Sequence, residues 1–254
     1  MGIGNLECVV CKLIPMNDLS IKPQQHDYEK SWQHWHDRTV LGPGSRHVRR
    51  MVMGMIKNIN FETCLDAGCG EGSLLMAIHA QFPHAKLHGI DFSNTAIKAA
   101  QKNITGAKIY KIDLTRQSLS QKFDLITCVD VLEHIREDKS VLNHLYQMSG
   151  GYLLLVVPIG PLFDQERERL GHLHGYSRDE LKAKLSQAGF KVLREIAWGF
   201  PLYSLYRRLV INLPENTTSD QFDWKKRLVS KITYLLLYLN LPFWGDRYHV
   251  LCHV

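Results

Sequence analysis

Between residues 65 and 73 the chain reads LDAGCGEGS, with Gly68, Gly70 and Gly72 at alternate positions behind Asp66. A tight strand-to-helix turn needs residues that tolerate positive φ, and a ligand pressed on the backbone leaves no room for a Cβ. The helix that follows presents free N–H groups to a polar ligand. The dinucleotide fingerprint is G-x-G-x-x-G; here the third glycine comes one residue early. Asp66 would also repel a pyrophosphate, so the turn suits a cationic ligand better. Two more carboxylates recur at strand ends: Asp91 in LHGID and Asp113 in KIDL. An acid at the tip of the second strand can accept both hydroxyls of a ribose.

The elements that must position these acids follow from periodicity. The segments 61–68, 86–91, 107–113, 123–130, 151–158 and 190–198 read as strands, and 247–254 as a seventh. Helical patterns lie at 45–59, 73–82, 93–104, 131–148 and 177–189, with Ser45, Ser93 and Ser177 as candidate N-caps. GYLLLVVP at 151–158 is a nearly continuous apolar run, as in a strand covered on both faces. Alternating strands and helices imply a parallel sheet with helices on both sides. Ligands of such sheets bind outside the carboxyl ends of the strands, where Asp66, Asp91 and Asp113 converge.

LDAGCGEG, GIDFS, KIDL and FDLITCVDVLEHI, in this order and spacing, resemble the class I methyltransferases that use S-adenosyl-L-methionine and release S-adenosyl-L-homocysteine. The resemblance covers roughly 61–198, and the last strand more weakly. It implies a Rossmann-like α/β fold: a seven-stranded, mostly parallel sheet with its last strand antiparallel between the fifth and sixth. It also implies roles. Gly68 and Gly70 would hold the methionine part, with Asp66 facing its ammonium. Asp91 would bind ribose and Asp113 the adenine amino group, with Phe92 and Leu114 flanking the base. Val129 and Asp130 would lie near the sulfonium.

Methyl transfer from a sulfonium is an in-line displacement in which the cofactor supplies electrophile and leaving group. The protein aligns the acceptor. Two clusters could assist. Asp130, Glu133 and His134 follow the fourth strand, and on a helix they would share one face. Similar patterns in ubiquinone-type O-methyltransferases and small-RNA 2′-O-methyltransferases can hold a divalent metal, but the motif also occurs without one, so the metal stays undecided. The second cluster is GHLHGYS at 171–177, where His172 or His174 could be a base and Tyr176 could contact the acceptor.

Composition bounds the rest. The chain has 254 residues, 45% hydrophobic and 22% charged, with a net charge of +6. This fits one α/β core with appendages. Cys64, Cys69 and Cys128 fall in core segments and read as buried free thiols. Cys8 and Cys11 form a single CxxC, too few ligands for structural zinc. The N-terminus lacks the basic start and apolar run of a signal peptide, which suggests a cytoplasmic protein. Residues 1–44 are expected to form a lid, with Tyr28, Trp32 and Trp35 lining an acceptor pocket. The core spans 45–198 and 246–254.

Between them, 199–245 is a helical insertion longer than usual connections. Its run WKKRLVSKITYLLLYLNLPFWGDR could cover a sheet edge, cap an apolar pocket, pair two subunits as a homodimer, or touch a membrane through 225–244. The leading reading is methylation of a small, partly apolar, lipid-like acceptor at oxygen, nitrogen or carbon. Scattered basic residues disfavour nucleic acid. RNA or protein methylation, and a non-catalytic cofactor-binding protein, remain the alternatives.

Overall fold

The computed structural model describes residues 29, 32, 34–214, 217, 221–241 and 243–254. Tyr28, Cys8 and Cys11 lie outside them. The sheet consists of β1 (Thr63–Ala67), β2 (Lys86–Asp91), β3 (Lys108–Lys111), β4 (Phe123–Val129), β5 (Ser149–Pro158), β6 (Lys191–Trp198) and β7 (Arg247–His253). Their order is β3-β2-β1-β4-β5-β7-β6, with β7 antiparallel to both neighbours and the other pairings parallel. This is the sheet expected from the sequence.

Helices α1 (His36–Leu41), α2 (Pro43–Ile56), α3 (Ser73–Gln81) and α4 (Asn94–Asn103) precede β3. Helices α5 (Asp138–Met148), α6 (Asp164–Leu170) and α7 (Arg178–Gln187) follow β4. The insertion carries α8 (Leu202–Asn212) and α9 (Trp224–Leu236).

The side chains of β5 are buried on both faces of the sheet, alternating as the pleat requires. Leu153, Leu155 and Val157 pack with Val141, Leu142 and Leu145 of α5 and Leu181 of α7. Leu154 and Val156 face the other way, toward Val48 and Val52 of α2 and Leu75 and Ile78 of α3. Each fully buried aliphatic side chain contributes ~1.5–3 kcal/mol, so these two layers fix the sheet and hence its carboxyl edge. Cys64, Cys69, Cys128 and Cys252 are buried free thiols.

Two local expectations change. Helix α2 starts at Pro43 rather than behind Ser45, because proline suits the first helical position, where its missing N–H is no loss. No helix follows β4 directly: Asp130 adopts φ 57° and a single 3-10 turn covers Leu132–His134. Asp130 therefore shares no helical face with Glu133 and His134.

The insertion has a small core in which Tyr203 and Leu237 pack with Trp198 at the end of β6. It leans on α2, where the buried His47 bonds the Tyr234 carbonyl through Nε2 (2.7 Å) and stacks on Trp198 at 5.0 Å. Burial lowers its pKa to about 4, so it is neutral there. Asn240 fastens the two ends of the insertion. Its Oδ1 accepts from the Leu202 and Tyr203 amides (2.8 and 3.1 Å), and its Nδ2 donates to the Leu237 carbonyl (2.8 Å). Replacing Asn240 with Ala should cost ~2 kcal/mol, since it strands buried amides. Hydrogen exchange should then quicken across 200–241 while β1, β4 and β5 stay protected; uniform loss of protection across the sheet would contradict this hierarchy.

Candidate active site

All of the parallel strands end at one edge of the sheet, and a crevice of about 1950 Å³ lies along it. Ligand pockets are commonly ~300–1,000 Å³, so this one has room for two molecules side by side. Gly68, Gly70, Asp66, Asp91, Phe92, Asp113, Leu114, Val129 and Asp130 all line it. So do Trp32, Trp35, Glu133, His134 and His172.

The glycine turn is built as expected. Gly68 has φ 78°, and a Cβ there would stand 2.3 Å from Val131 Cγ2. Gly70 has φ 53°, and a Cβ would meet the Trp32 ring at 2.3 Å. The Trp32 ring therefore rests on the turn itself. His36 and Thr39 of α1 bond the buried Glu71 carboxylate and hold that helix in place.

Three acids surround the turn. Asp66 is buried at the end of β1, and its Oδ1 accepts from the Thr127 hydroxyl (2.7 Å). Burial, opposed by that bond and reinforced by Asp91, raises its pKa to about 7. Asp91 accepts the Gly70 and Ser93 amides, each at 2.9 Å. Burial nevertheless raises its pKa, with those bonds pulling the other way. Asp113 lies two residues past β3, accepts the Thr115 amide and hydroxyl (3.0 and 2.7 Å), and stands 3.3 Å from Arg116.

Farther along, the crevice holds a different group. Glu133 is fully buried and neither carboxylate oxygen has a partner; His172 Nδ1 is buried and unpartnered too. Burial and Asp130 raise the Glu133 pKa to about 8. Burial, His134 and nearby arginines lower that of His172 to about 2. Glu133, His134 and His172 each bring one ligand atom within 4.8 Å of the others. Orphaned buried acceptors of this kind fit a divalent cation, for which a carboxylate and two imidazoles are suitable ligands.

His174 and Tyr176 do not line the crevice. His174 Nε2 bonds the Ile135 carbonyl (2.8 Å), and its ring stacks on Tyr176 at 5.2 Å. Tyr176 is buried in the core, donating to Asp138 Oδ2 (3.0 Å). The chain passes Glu133, whose carbonyl accepts the Leu173 amide (2.7 Å), and then turns back toward α5. His172 is thereby left on the crevice side and His174 on the core side.

Three contributors had not been singled out in the sequence. Arg247 opens β7 and pairs with Asp130. Burial would lower its pKa, but Asp130, Tyr203 and Glu133 outweigh that and raise it. Arg207 of α8 pairs with the buried Glu166 of α6. Glu29 accepts the Asn94 and Thr95 amides (2.7 and 3.0 Å) at the start of α4. The signal for Arg247 was a lone cation heading an apolar strand.

Residues 65–150 match a family model described as a methyltransferase domain. That segment of the chain is similar to methyltransferase domains. A stretch of 90 residues is 32% identical to the ubiquinone biosynthesis O-methyltransferase of Pseudomonas putida (strain W619), covering 33% of this chain and 38% of that protein. The chain thus spans about two fifths of the length of the curated relatives it matches.

Among solved structures, a SAM-dependent methyltransferase of Thermotoga maritima is similar with a TM-score of 0.61 at 15% identity, covering 89% of this chain and 97% of that one. The N-methyltransferase NodS of Bradyrhizobium japonicum, in complex with S-adenosyl-L-homocysteine, gives 0.58 at 16% identity, covering 89% and 95%. The fold is therefore that of the S-adenosylmethionine-dependent methyltransferases. The matched segment holds the glycine turn and Glu133, whereas His172, Arg207 and Arg247 come from outside it.

Asp66 gives this site a pH signature. In the folded chain it keeps its proton up to about pH 7, whereas its ordinary value is 3.8. The folded state then binds more protons than the unfolded one between those limits, so stability falls as pH rises through that window. The loss should be on the order of a few kcal/mol. Asp66→Asn keeps an acceptor for the Thr127 hydroxyl and should reduce the slope, leaving the part owed to Asp91 and Glu133; equal slopes in wild type and variant, by denaturant titration across the window, would place the titrating group elsewhere.

Proposed function

We propose that the chain transfers a methyl group from S-adenosyl-L-methionine to a small, partly apolar acceptor. The observation that carries this reading is the meeting of Asp66, Asp91 and Asp113 with the Gly68–Gly72 turn in a single crevice. The crevice then continues past Asp130 to the Glu133–His172 group, the side of α8 that carries Tyr206, Leu209 and Val210, and the side of α9 that carries Lys225, Val229 and Thr233. Its volume exceeds what the cofactor alone requires.

In this reading Asp91 accepts the ribose hydroxyls, Asp113 meets the adenine amino group, and Phe92 and Leu114 flank the base. Asp66 faces the methionine ammonium, which favours its ionised form. The acceptor lies beyond Val129, between Trp35 and α8. S-adenosyl-L-methionine, when bound, would supply the electrophilic methyl carbon and leave as the neutral thioether S-adenosyl-L-homocysteine; the chain's part is to hold the acceptor's lone pair in line with that carbon. For a hydroxyl acceptor the proton must leave toward the Glu133 and His134 end of the crevice. A cation held by Glu133, His134 and His172 would supply Lewis acidity to an acceptor oxygen. The segment's likeness to an O-methyltransferase favours oxygen as the atom methylated.

Two measurements test this. Calorimetry with S-adenosyl-L-homocysteine should show binding that Asp91→Ala weakens roughly 10- to 100-fold, the usual scale for hydrogen bonds to a charged group. Near-normal affinity in a folded variant would contradict the ribose assignment. Incubation with S-adenosyl-L-methionine and a panel of phenolic and carboxylate acceptors should release S-adenosyl-L-homocysteine. His172→Ala should slow that release while leaving cofactor affinity within about twofold, since small effects are expected at a site the cofactor does not touch.

A further inference from the structure

Among the described residues, fifteen of the nineteen exposed large hydrophobic side chains lie between 199 and 245. Helix α9 is turned apolar side outward. Its buried residue is Ser230, whose hydroxyl donates to the Leu41 carbonyl (2.5 Å). Leu228, Ile232 and Leu235, which follow one another at helical spacing, are 49%, 49% and 58% exposed. The apolar face continues through Leu239, Phe243 and Trp244, at 68%, 65% and 65%. A contiguous exposed surface of this kind marks a contact with something else.

Charge selects what that something is. From Trp224 to Gly245 the chain has four cations (Lys225, Lys226, Arg227 and Lys231) and no carboxylate. A second copy seated by a twofold contact would bring these same cations together, which is repulsive. An apolar stripe edged by Lys, Arg and Trp instead matches the interface of a bilayer whose headgroups are anionic. The stripe is also continuous with the crevice: Val229 of α9 and Leu209 of α8 are 62% and 59% exposed and both form its wall. No helix among the described residues is long and apolar enough to cross a membrane, so the contact is peripheral.

We infer that the α8–α9 insertion docks the chain on an anionic lipid surface, with the mouth of the crevice held at the headgroup level. An acceptor dissolved in the bilayer would then enter between α8 and α9 without crossing water.

The test needs neither cofactor nor acceptor, so it stands or falls apart from the proposed reaction. The full chain is sedimented with vesicles of phosphatidylcholine alone, or of phosphatidylcholine with phosphatidylglycerol. It should pellet with the anionic vesicles only, and less so in high salt. Lys225→Gln and Lys231→Gln should each weaken partitioning by roughly fivefold. Ile232→Ser with Leu235→Ser should abolish it while leaving the circular dichroism spectrum and melting temperature unchanged, because both residues face solvent. The inference is overturned if the chain stays in the supernatant with anionic vesicles, or if the substitutions leave its partitioning unaltered. It is equally overturned if light scattering shows a vesicle-free dimer that Ile232→Ser splits, because the face would then belong to a second copy.

Discussion

Parallel strands all end on the same side, and that single constraint organises this molecule. Six strands run one way and deliver their carboxyl ends to one edge. At that edge the backbone must turn into helices, so free amides and the residues that follow each strand accumulate there. Asp66, Asp91 and Asp113 are gathered by topology rather than by sequence proximity. The antiparallel β7 completes the arrangement. Because it starts where its neighbours finish, with Arg247 opposite Pro158 and Trp198, it brings a guanidinium to the edge that the other strands furnish with carboxylates.

That logic also separates what the sequence could reveal from what it could not. The strands themselves and the glycine turn were legible because each rests on local pattern: an apolar run in β5, positive φ at Gly68, an acid just past a strand; the place of the antiparallel last strand came only from the resemblance. Residues fixed by the path of a loop were not. His172 and His174 are two apart and chemically alike, and only the hydrogen bonds of the Leu173 and His174 amides to the Glu133 carbonyl decide which ring meets the crevice. Tyr176 looked like an acceptor contact and is a core residue, because Asp138 offers its hydroxyl a buried partner. Asp130 looked helical, but its left-handed backbone aims it at Arg247 instead. A pairing across 117 residues leaves no local trace.

The insertion follows different rules from the core. The buried cluster it shares with the end of β6 is three side chains, whereas each face of the sheet buries about twenty. Hydrophobic burial scales with area, so the insertion draws its order from α2 and from Asn240 more than from a core of its own. Segments with few buried contacts open at lower free energy than the global transition. A wall of the crevice that can move independently of the sheet suits a site that must admit one molecule beside another. The apolar side chains that α8 and α9 leave exposed are consistent with a wall whose stability is completed by contact outside the chain.

The pairing of Asp130 with Arg247 bears on the proposed chemistry itself. A methyl-donating sulfonium carries a positive charge that disperses as the methyl group moves. An unpaired carboxylate beside it would stabilise the reactant more than the transition state and slow the reaction. In the proposed reading Asp66 and Asp91 would meet parts of the cofactor whose charge does not change, so their interactions would be uniform along the path. Asp130, at the tip of β4, is the acid expected nearest the sulfonium, and the fold sets a buried guanidinium against it. Arg247 can do this because β7 enters the sheet from the crevice edge; its guanidinium is buried there while the Asp130 side chain stays 44% exposed, so solvent screens part of the attraction. The chain order that puts an antiparallel strand last is, on this view, part of how the site avoids holding its reactant too tightly.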